Sequence, residues 1–296
     1  MTFLSDAALS RLRGAPGPPD LSGTRYELLG TLGRGGMGTV YRVQDKELQR
    51  EVALKVLDVD DDERLPGEAR VAARLEHPGI VPVHDLGRLP DGRLYFTMKL
   101  VRGERLDRWA AGARTLSERV AVVPRLCETA AFAHAHGVVH RDLKPENVMV
   151  GPFGEVLVMD WGVALVSGEQ AAGTVAGTQG FMAPEQARGG DTDARADVHA
   201  LGALLRWLVG DAAPAPLRAI AARATAPDPA DRYAGALELS AELSRFLGGE
   251  RVQAHREAPW ERVARLAARH RTALLLVAGY LLVRVVLMLL SNRGPA

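Results

Sequence analysis

The stretch His140-Arg141-Asp142-Leu143-Lys144-Pro145-Glu146-Asn147 concentrates side chains that could do chemistry into eight residues. A carboxylate can take or orient a proton, an ammonium can neutralise an anion, and a carboxamide oxygen can sit against a cation. Alone, the same residues also describe a charged turn between a helix and a strand. Three other features change the weighing: the glycine string Gly33-Arg34-Gly35-Gly36-Met37-Gly38, a lysine inside an apolar strand at Lys55, and Asp160-Trp161-Gly162. These lie far apart in the chain, so the fold must bring them together.

The elements that would do so are readable from periodicity. Residues Tyr26 to Leu32 and Thr39 to Gln44 predict two strands joined by the glycine string. In a dinucleotide-binding fold a helix would follow such glycines. Here Val40 and Tyr41 continue as strand, so a hairpin with a glycine tip is expected. Missing side chains at Gly33, Gly35 and Gly38 would let backbone N–H groups approach phosphate oxygens. A third strand, Glu51 to Leu57, alternates so that Lys55 shares a face with Ala53 and Leu57. A lysine among apolar neighbours is costly without an anion. An amphipathic helix opens at Gly67-Glu68 and runs toward Glu76, before the break at His77-Pro78. Strands over Ile80 to Leu86 and Leu94 to Leu100 follow, with Pro90-Asp91-Gly92 as the turn between them. Leu116 to His136 has helical periodicity and stops at Gly137, and Glu155 to Met159 predicts a strand before Asp160.

Composition narrows the function classes. With 37 basic against 36 acidic residues in 296, no global field argues for nucleic acid as a partner. Arginine supplies nearly all the cations; the lysines are Lys46, Lys55, Lys99 and Lys144. A lysine at a particular site in such a chain invites a specific reason, because an ammonium and a guanidinium are not interchangeable. Cys127 stands alone, which excludes a disulfide within the chain, suits a reducing cytoplasm and reads as buried filler.

Taken in order, the glycine hairpin, Val52-Ala53-Leu54-Lys55, the H-R-D-x-K-x-x-x-N loop at 140–147, Asp160-Trp161-Gly162, the run Gly177 to Glu185, Asp197 to Gly202 and Asp228 to Tyr233 resemble the motif series of protein kinases. His77-Pro78-Gly79-Ile80-Val81 and Ala183 to Arg188 make the likeness strongest to bacterial Hanks-type serine/threonine kinases. The resemblance implies an α+β bilobal fold, a small β-rich N-lobe and a larger, mostly helical C-lobe. It implies ATP and Mg2+ as cofactors, with Mn2+ as a substitute. Leu32, Gly33, Arg34, Gly35, Gly36, Met37 and Gly38 would cover the nucleotide, with Val40, Ala53 and Met149 around it. Lys55 would hold phosphates and pair with Glu68. Met98 would control a back pocket, and Lys99 to Val101 would form the hinge against adenine, with Lys99 and Val101 as backbone contacts.

By the same resemblance Asp142 receives or orients the substrate hydroxyl proton, Lys144 neutralises the transferred phosphoryl group, and Asn147 with Asp160 holds the metal. His140 is expected to pack and hydrogen-bond, not to act as an acid or base. Trp161 stands where the family usually has Phe. Arg141 implies regulation by a phosphorylated loop, with Thr174 as the expected phosphosite and Thr178 as a structural residue near Asp142 and Lys144. Asp197 would anchor the catalytic-loop backbone, and Arg232 would pair with Glu185. Between Gly210 and Leu217 the chain is shorter than usual for the family. The implied activity is transfer of the ATP γ-phosphate to Ser and Thr hydroxyls of protein substrates, with autophosphorylation, in bacterial signalling. A catalytically weak nucleotide-binding scaffold is the alternative, and a small-molecule phosphotransferase is a third reading.

Residues 1–24 predict a flexible extension, 25–248 the kinase-like domain with lobes at about 25–101 and 102–248, 249–272 a basic juxtamembrane segment with a short interfacial helix, 273–290 a transmembrane helix, and 291–296 a short tail. Ala273 to Leu290 is apolar apart from Arg284, which lies off-centre and can snorkel. Arginines cluster before it and only Arg293 follows, so a single-pass anchor in a bacterial cell membrane is expected, with the catalytic domain cytoplasmic and no external sensor domain. Two anchored copies would pair as a homodimer for trans-autophosphorylation.

Overall fold

The structure, a computed structural model, describes residues 17–35, 38–57, 71, 73–161, 165–166 and 177–291. Gly36, Met37, Glu68, Gly162 and Thr174 lie outside the described residues, as does most of the helix expected from Gly67.

The N-terminal sheet contains β1 (Tyr26–Gly35), β2 (Gly38–Asp45), β3 (Arg50–Val56), β4 (Val83–Arg88) and β5 (Leu94–Lys99), in the order β1-β2-β3-β5-β4 with every pair antiparallel. Period-2 alternation gives it two different faces. Tyr41, Val43, Val52, Leu54, Val56 and Tyr95 form a compact apolar cluster on one. On the other, the register sets Val40 opposite Lys55, Lys55 opposite Phe96, and Ala53 opposite Met98, so these five share one face. Gly38 has little choice of residue: a Cβ there would lie 2.2 Å from the Val56 carbonyl oxygen.

One expected strand moves. Ile80 to Leu86 was the sequence expectation, but β4 begins at Val83. Pro82 has no N–H to donate to a ladder, and Ile80 instead forms a parallel bridge to Val158, with the Val158 N–H donating to the Gly79 carbonyl at 2.8 Å. The segment at 79–82 therefore ties the small lobe to the large one.

The large lobe opens with β6 (Glu104–Arg105) and α1 (Leu106–Ala111), followed by α2 (Leu116–Ala135). Thr115 caps α2 in a reciprocal box with Glu118, and Gly137 takes φ 73° just beyond its end. The chain then passes through β7 (Val138–Val139), a 3-10 turn at Pro145–Asn147, β8 (Val148–Val150) and β9 (Val156–Val158); β6, β8 and β9 form a small sheet, and β10 (Leu165–Val166) pairs with β7. Helices α3 (Pro184–Ala187), α4 (Ala194–Val209), α5 (Ala215–Ala224) and α6 (Ala236–Leu247) complete the lobe, and α7 (Pro259–Arg269) and α8 (Arg271–Ser291) follow. A single apolar core joins α2, α4, α5 and α6 through Leu126, Leu201, Leu204, Leu217 and Leu239. Gly202 permits the α4–α5 contact, since a Cβ there would meet Ala224 Cβ at 2.5 Å. Cys127 lies in this core, and burial pushes its thiol pKa up, which removes it from nucleophilic chemistry.

Asp197, in the first turn of α4, is buried and fixes the loop after β7. Its Oδ2 accepts from His140 N–H at 2.8 Å and contacts His134 Nε2 at 2.7 Å, while Oδ1 accepts from Arg141 N–H at 2.9 Å. Burial alone would raise its pKa, but the His134 hydrogen bond and charge, with His140, hold the carboxyl below its ordinary value. A carboxylate depressed in the folded state contributes stability that is complete above the unfolded pKa of about 3.9 and is lost as pH falls through the folded value. Asp197→Asn is expected to cost about 3 kcal/mol at neutral pH. Urea unfolding at a series of pH values checks this: the wild type should lose more stability than the variant on acidification below about pH 4, and identical acid limbs would remove the assignment.

Candidate active site

Asp142 follows that anchored backbone and is held on both carboxylate oxygens. Oδ1 accepts from the Thr178 hydroxyl at 2.8 Å; Oδ2 accepts from Lys144 Nζ at 2.6 Å and from Asn147 Nδ2 at 3.2 Å. Lys144 Nζ also donates to Thr178 Oγ1 at 2.8 Å, closing a triangle between the loop and the segment after 177. Oδ1 keeps an acceptor position for an incoming hydroxyl, since a carboxylate offers about four lone-pair sites.

Asn147 is oriented by its own amide: Nδ2 donates to the Asp142 carbonyl at 2.9 Å, so Oδ1 is left as the acceptor face. Asp160 sits at the end of β9 with φ 60°, and its Oδ1 pairs with Lys55 Nζ at 3.3 Å. Lys55 also lies 5.8 Å from the centroid of the Phe96 ring. Lys55 and Asp160 therefore meet in the cleft between the lobes, on the sheet face that carries Val40, Ala53 and Met98. Among the described residues there is no group of three or more His, Cys, Asp or Glu able to hold a metal. One carboxylate and one amide oxygen suit a hard cation that keeps water and phosphate ligands, and Asn147 with Asp160 is such a pair.

The described glycines of the β1–β2 loop leave room for close approach. Gly33 has open space where a Cβ would project, and Gly35 meets only the Gly38 carbonyl at 3.9 Å. Gly38 serves a different purpose, the close approach of β2 to Val56. Leu32 and Arg34 are exposed, Val40, Met98, Val101 and Met149 are half-buried, and Ala53 is buried. The Lys99 side chain is exposed, while its N–H donates to the Pro82 carbonyl at 3.1 Å.

His140 is locked as a structural residue. Its Nδ1 accepts from Asp142 N–H at 3.2 Å, so Nε2 carries the proton and donates to the Met159 carbonyl at 3.0 Å. Trp161 packs against it with ring centroids 4.7 Å apart. Arg141 is buried with φ 69°, and its carbonyl accepts from Gln186 Nε2 at 2.5 Å. Glu185 and Arg232 form a bidentate pair with both contacts at 2.7 Å. Burial would raise the Glu185 pKa, but the Arg232 guanidinium brings it below the usual carboxylate range.

Three contributors were not anticipated from sequence. His134 supports Asp197, Gln186 holds the Arg141 carbonyl, and Phe96 lies against Lys55. Only Phe96 had a readable signal, its position two residues before Met98 on an alternating strand.

The family model for the protein kinase domain matches residues 26–226. The DNA damage-responsive serine/threonine-protein kinase RqkA of Deinococcus radiodurans is 45% identical over 204 residues, covering 64% of this chain and 30% of that protein. Serine/threonine-protein kinase PknB of Mycobacterium tuberculosis is 36% identical over 275 residues, covering 78% and 44%. PknD of Chlamydia muridarum is 32% identical over 299 residues, covering 76% and 32%. The chain thus spans less than half the length of these relatives. A protein kinase domain model matched over two thirds of the chain makes the chain a member of the protein kinase domain family.

Proposed function

We propose that the chain is a serine/threonine protein kinase that moves the γ-phosphate of ATP to Ser and Thr hydroxyls of proteins, with Mg2+ as its metal. The observation that carries this reading is the Asp142–Lys144–Thr178 triangle, in which a carboxylate and an ammonium are fixed side by side at the mouth of the cleft. Bound ATP and its metal would supply the phosphoryl group and charge neutralisation; Gly33 and Gly35 would cover the phosphates, Lys55 would meet them, and Asn147 with Asp160 would hold the cation. Asp142 Oδ1 orients the acceptor hydroxyl and takes its proton. Lys144 sits where negative charge accumulates during transfer. A hydroxyl is needed at Thr178 because it donates to Asp142 while accepting from Lys144, a double role that valine cannot fill.

A scaffold without transfer activity would need Trp161 or the short segment after Gly210 to disturb the site. Trp161 is buried against His140 and leaves the Asp160 carboxylate beside Lys55, so the exchange of aromatic removes no chemical group. The relatives named above are serine/threonine-protein kinases, which favours transfer over scaffolding.

A single-pass membrane anchor at the C-terminus is the second part of the proposal. Among the described residues no helix is long and apolar enough to cross a membrane. The α8 helix runs over 21 residues, and its side chains from 274 to 285 are exposed. Over the whole helix Arg271 and Arg284 are the only charges, and 21 residues reach about 31 Å, the thickness of a bilayer core. The arginines before it favour a cytoplasmic catalytic domain.

Two measurements test these readings. Asp142→Asn should lower kcat for phosphorylation of a generic protein substrate by about 100-fold or more, with ATP affinity nearly unchanged; equal turnover would overturn the kinase assignment. On cell fractionation the full chain should pellet with membranes and be released by detergent but not by high salt, and recovery in the soluble fraction would overturn the anchor.

A further inference from the structure

A surface helix in water ordinarily turns its apolar stripe to the core and its charges to solvent. In α7 this arrangement is reversed. Trp260, Val263 and Leu266 recur every three residues and are 74%, 66% and 46% exposed. Glu261 and Arg265, on another side of the helix, are tied to the residues that lead into it. Arg265 makes a bidentate pair with Glu257 at 2.7 and 3.0 Å, and the Glu257 side chain is only 7% exposed. Glu261 accepts from Ala258 N–H at 2.8 Å and contacts His255 at 3.1 Å.

The segment leading into α7 is equally fixed. Val252 is buried in the large-lobe core, and Ala254 N–H donates to Glu242 of α6 at 2.9 Å. Residues 251–271 carry six arginines against Glu257 and Glu261, and His270 N–H donates to the Leu266 carbonyl at the point where α8 begins.

We propose that α7 is a membrane-surface helix that seats the catalytic domain on an anionic bilayer leaflet, with Trp260, Val263 and Leu266 in the headgroup–acyl boundary and the exposed Arg251, Arg256 and Arg262 against lipid phosphates. The inference rests on the reading of α8 as a membrane anchor and adds to it a lipid class and a contact surface. Continuity with α8 places α7 at the bilayer surface, and the excess of arginine selects negative headgroups, each arginine near such a surface being worth about fivefold in partitioning. Because Val252 and the Ala254–Glu242 bond hold the lead-in to the lobe, and Glu257 of that lead-in holds Arg265 of α7, lipid contact by α7 holds the domain against the leaflet instead of leaving it on a loose tether.

The test uses the full chain reconstituted into phosphatidylcholine vesicles with and without phosphatidylglycerol. Trp260→Phe, subtracted from the wild type, isolates the emission of Trp260 from that of Trp109, Trp161 and Trp207. Lipid brominated near the headgroup end of its chains should quench Trp260 severalfold more in the anionic vesicles, and Val263→Glu should abolish that difference while the chain still floats with the vesicles. Quenching of Trp260 by aqueous iodide and not by brominated lipid, with flotation retained, would overturn the proposal and leave the anchor standing. Shielding from both quenchers, together with cross-linking between copies, would assign the face to a second copy of the chain and equally overturn it. Failure to float would remove the anchor reading itself, and this inference with it.

Discussion

The site depends on one buried carboxylate. Asp197 gathers the N–H groups of His140 and Arg141 and the ring of His134, and these bonds set the direction in which the chain leaves β7. Arg141 at φ 69° occupies a region that a non-glycine residue enters at a cost of about 1 kcal/mol or more. It is held there from both ends, by Asp197 at its N–H and by Gln186 at its carbonyl. The left-handed turn aims the next side chain, Asp142, back toward Thr178 and Lys144. A buried charge on α4 thus determines where the reactive carboxylate points.

A second strained residue sits beside it on the large lobe. Asp160 has φ 60°, and its predecessor Met159 is fixed by its N–H to the Asn147 carbonyl at 2.8 Å and by its own carbonyl to His140. His140 therefore bonds both strands of the site, and its tautomer follows from those bonds. The Lys55–Asp160 pair that spans the cleft is weaker. The Asp160 side chain is 43% exposed, and partly solvated pairs contribute about 0–1 kcal/mol. An arriving phosphate can draw Lys55 away with little loss, which makes the pair a resting contact that nucleotide can reorganise.

Much of the fold was legible in the chain because each element follows a short-range rule. Alternation at Val52 to Leu57 set the face of Lys55, Gly137 marks the end of α2, and the glycine tip between two strands separated a kinase-like hairpin from a dinucleotide-binding turn. The misplaced start of β4 shows where such rules stop: Ile80 is apolar and strand-like, but Pro82 and the partner Val158, 78 positions later, decide its pairing. The supports of the site were hidden for the same reason. His134 and Gln186 act through backbone atoms and a buried carboxylate, and neither residue type nor spacing distinguishes them from an ordinary helix side chain. Lys55 and Lys144 were easier to find because the chain uses arginine nearly everywhere else.

Trp161 shows how far a departure from pattern can go before chemistry changes. Its ring packs on His140, whose orientation supports both Met159 and Asp142, so a large aromatic here reinforces the part of the site that sets carboxylate geometry. The cost is its indole N–H, which is buried without an acceptor among the described residues. Such a group costs about 1–3 kcal/mol, and the apolar area buried by a tryptophan side chain offsets an amount of the same order. Phenylalanine would avoid the cost but present less surface to His140. The balance is close, and the substituted ring leaves Lys55, Asp160 and Asn147 in place. Identity at that position is therefore set by packing against His140, while the reaction is set by the carboxylates and lysines that the packing holds.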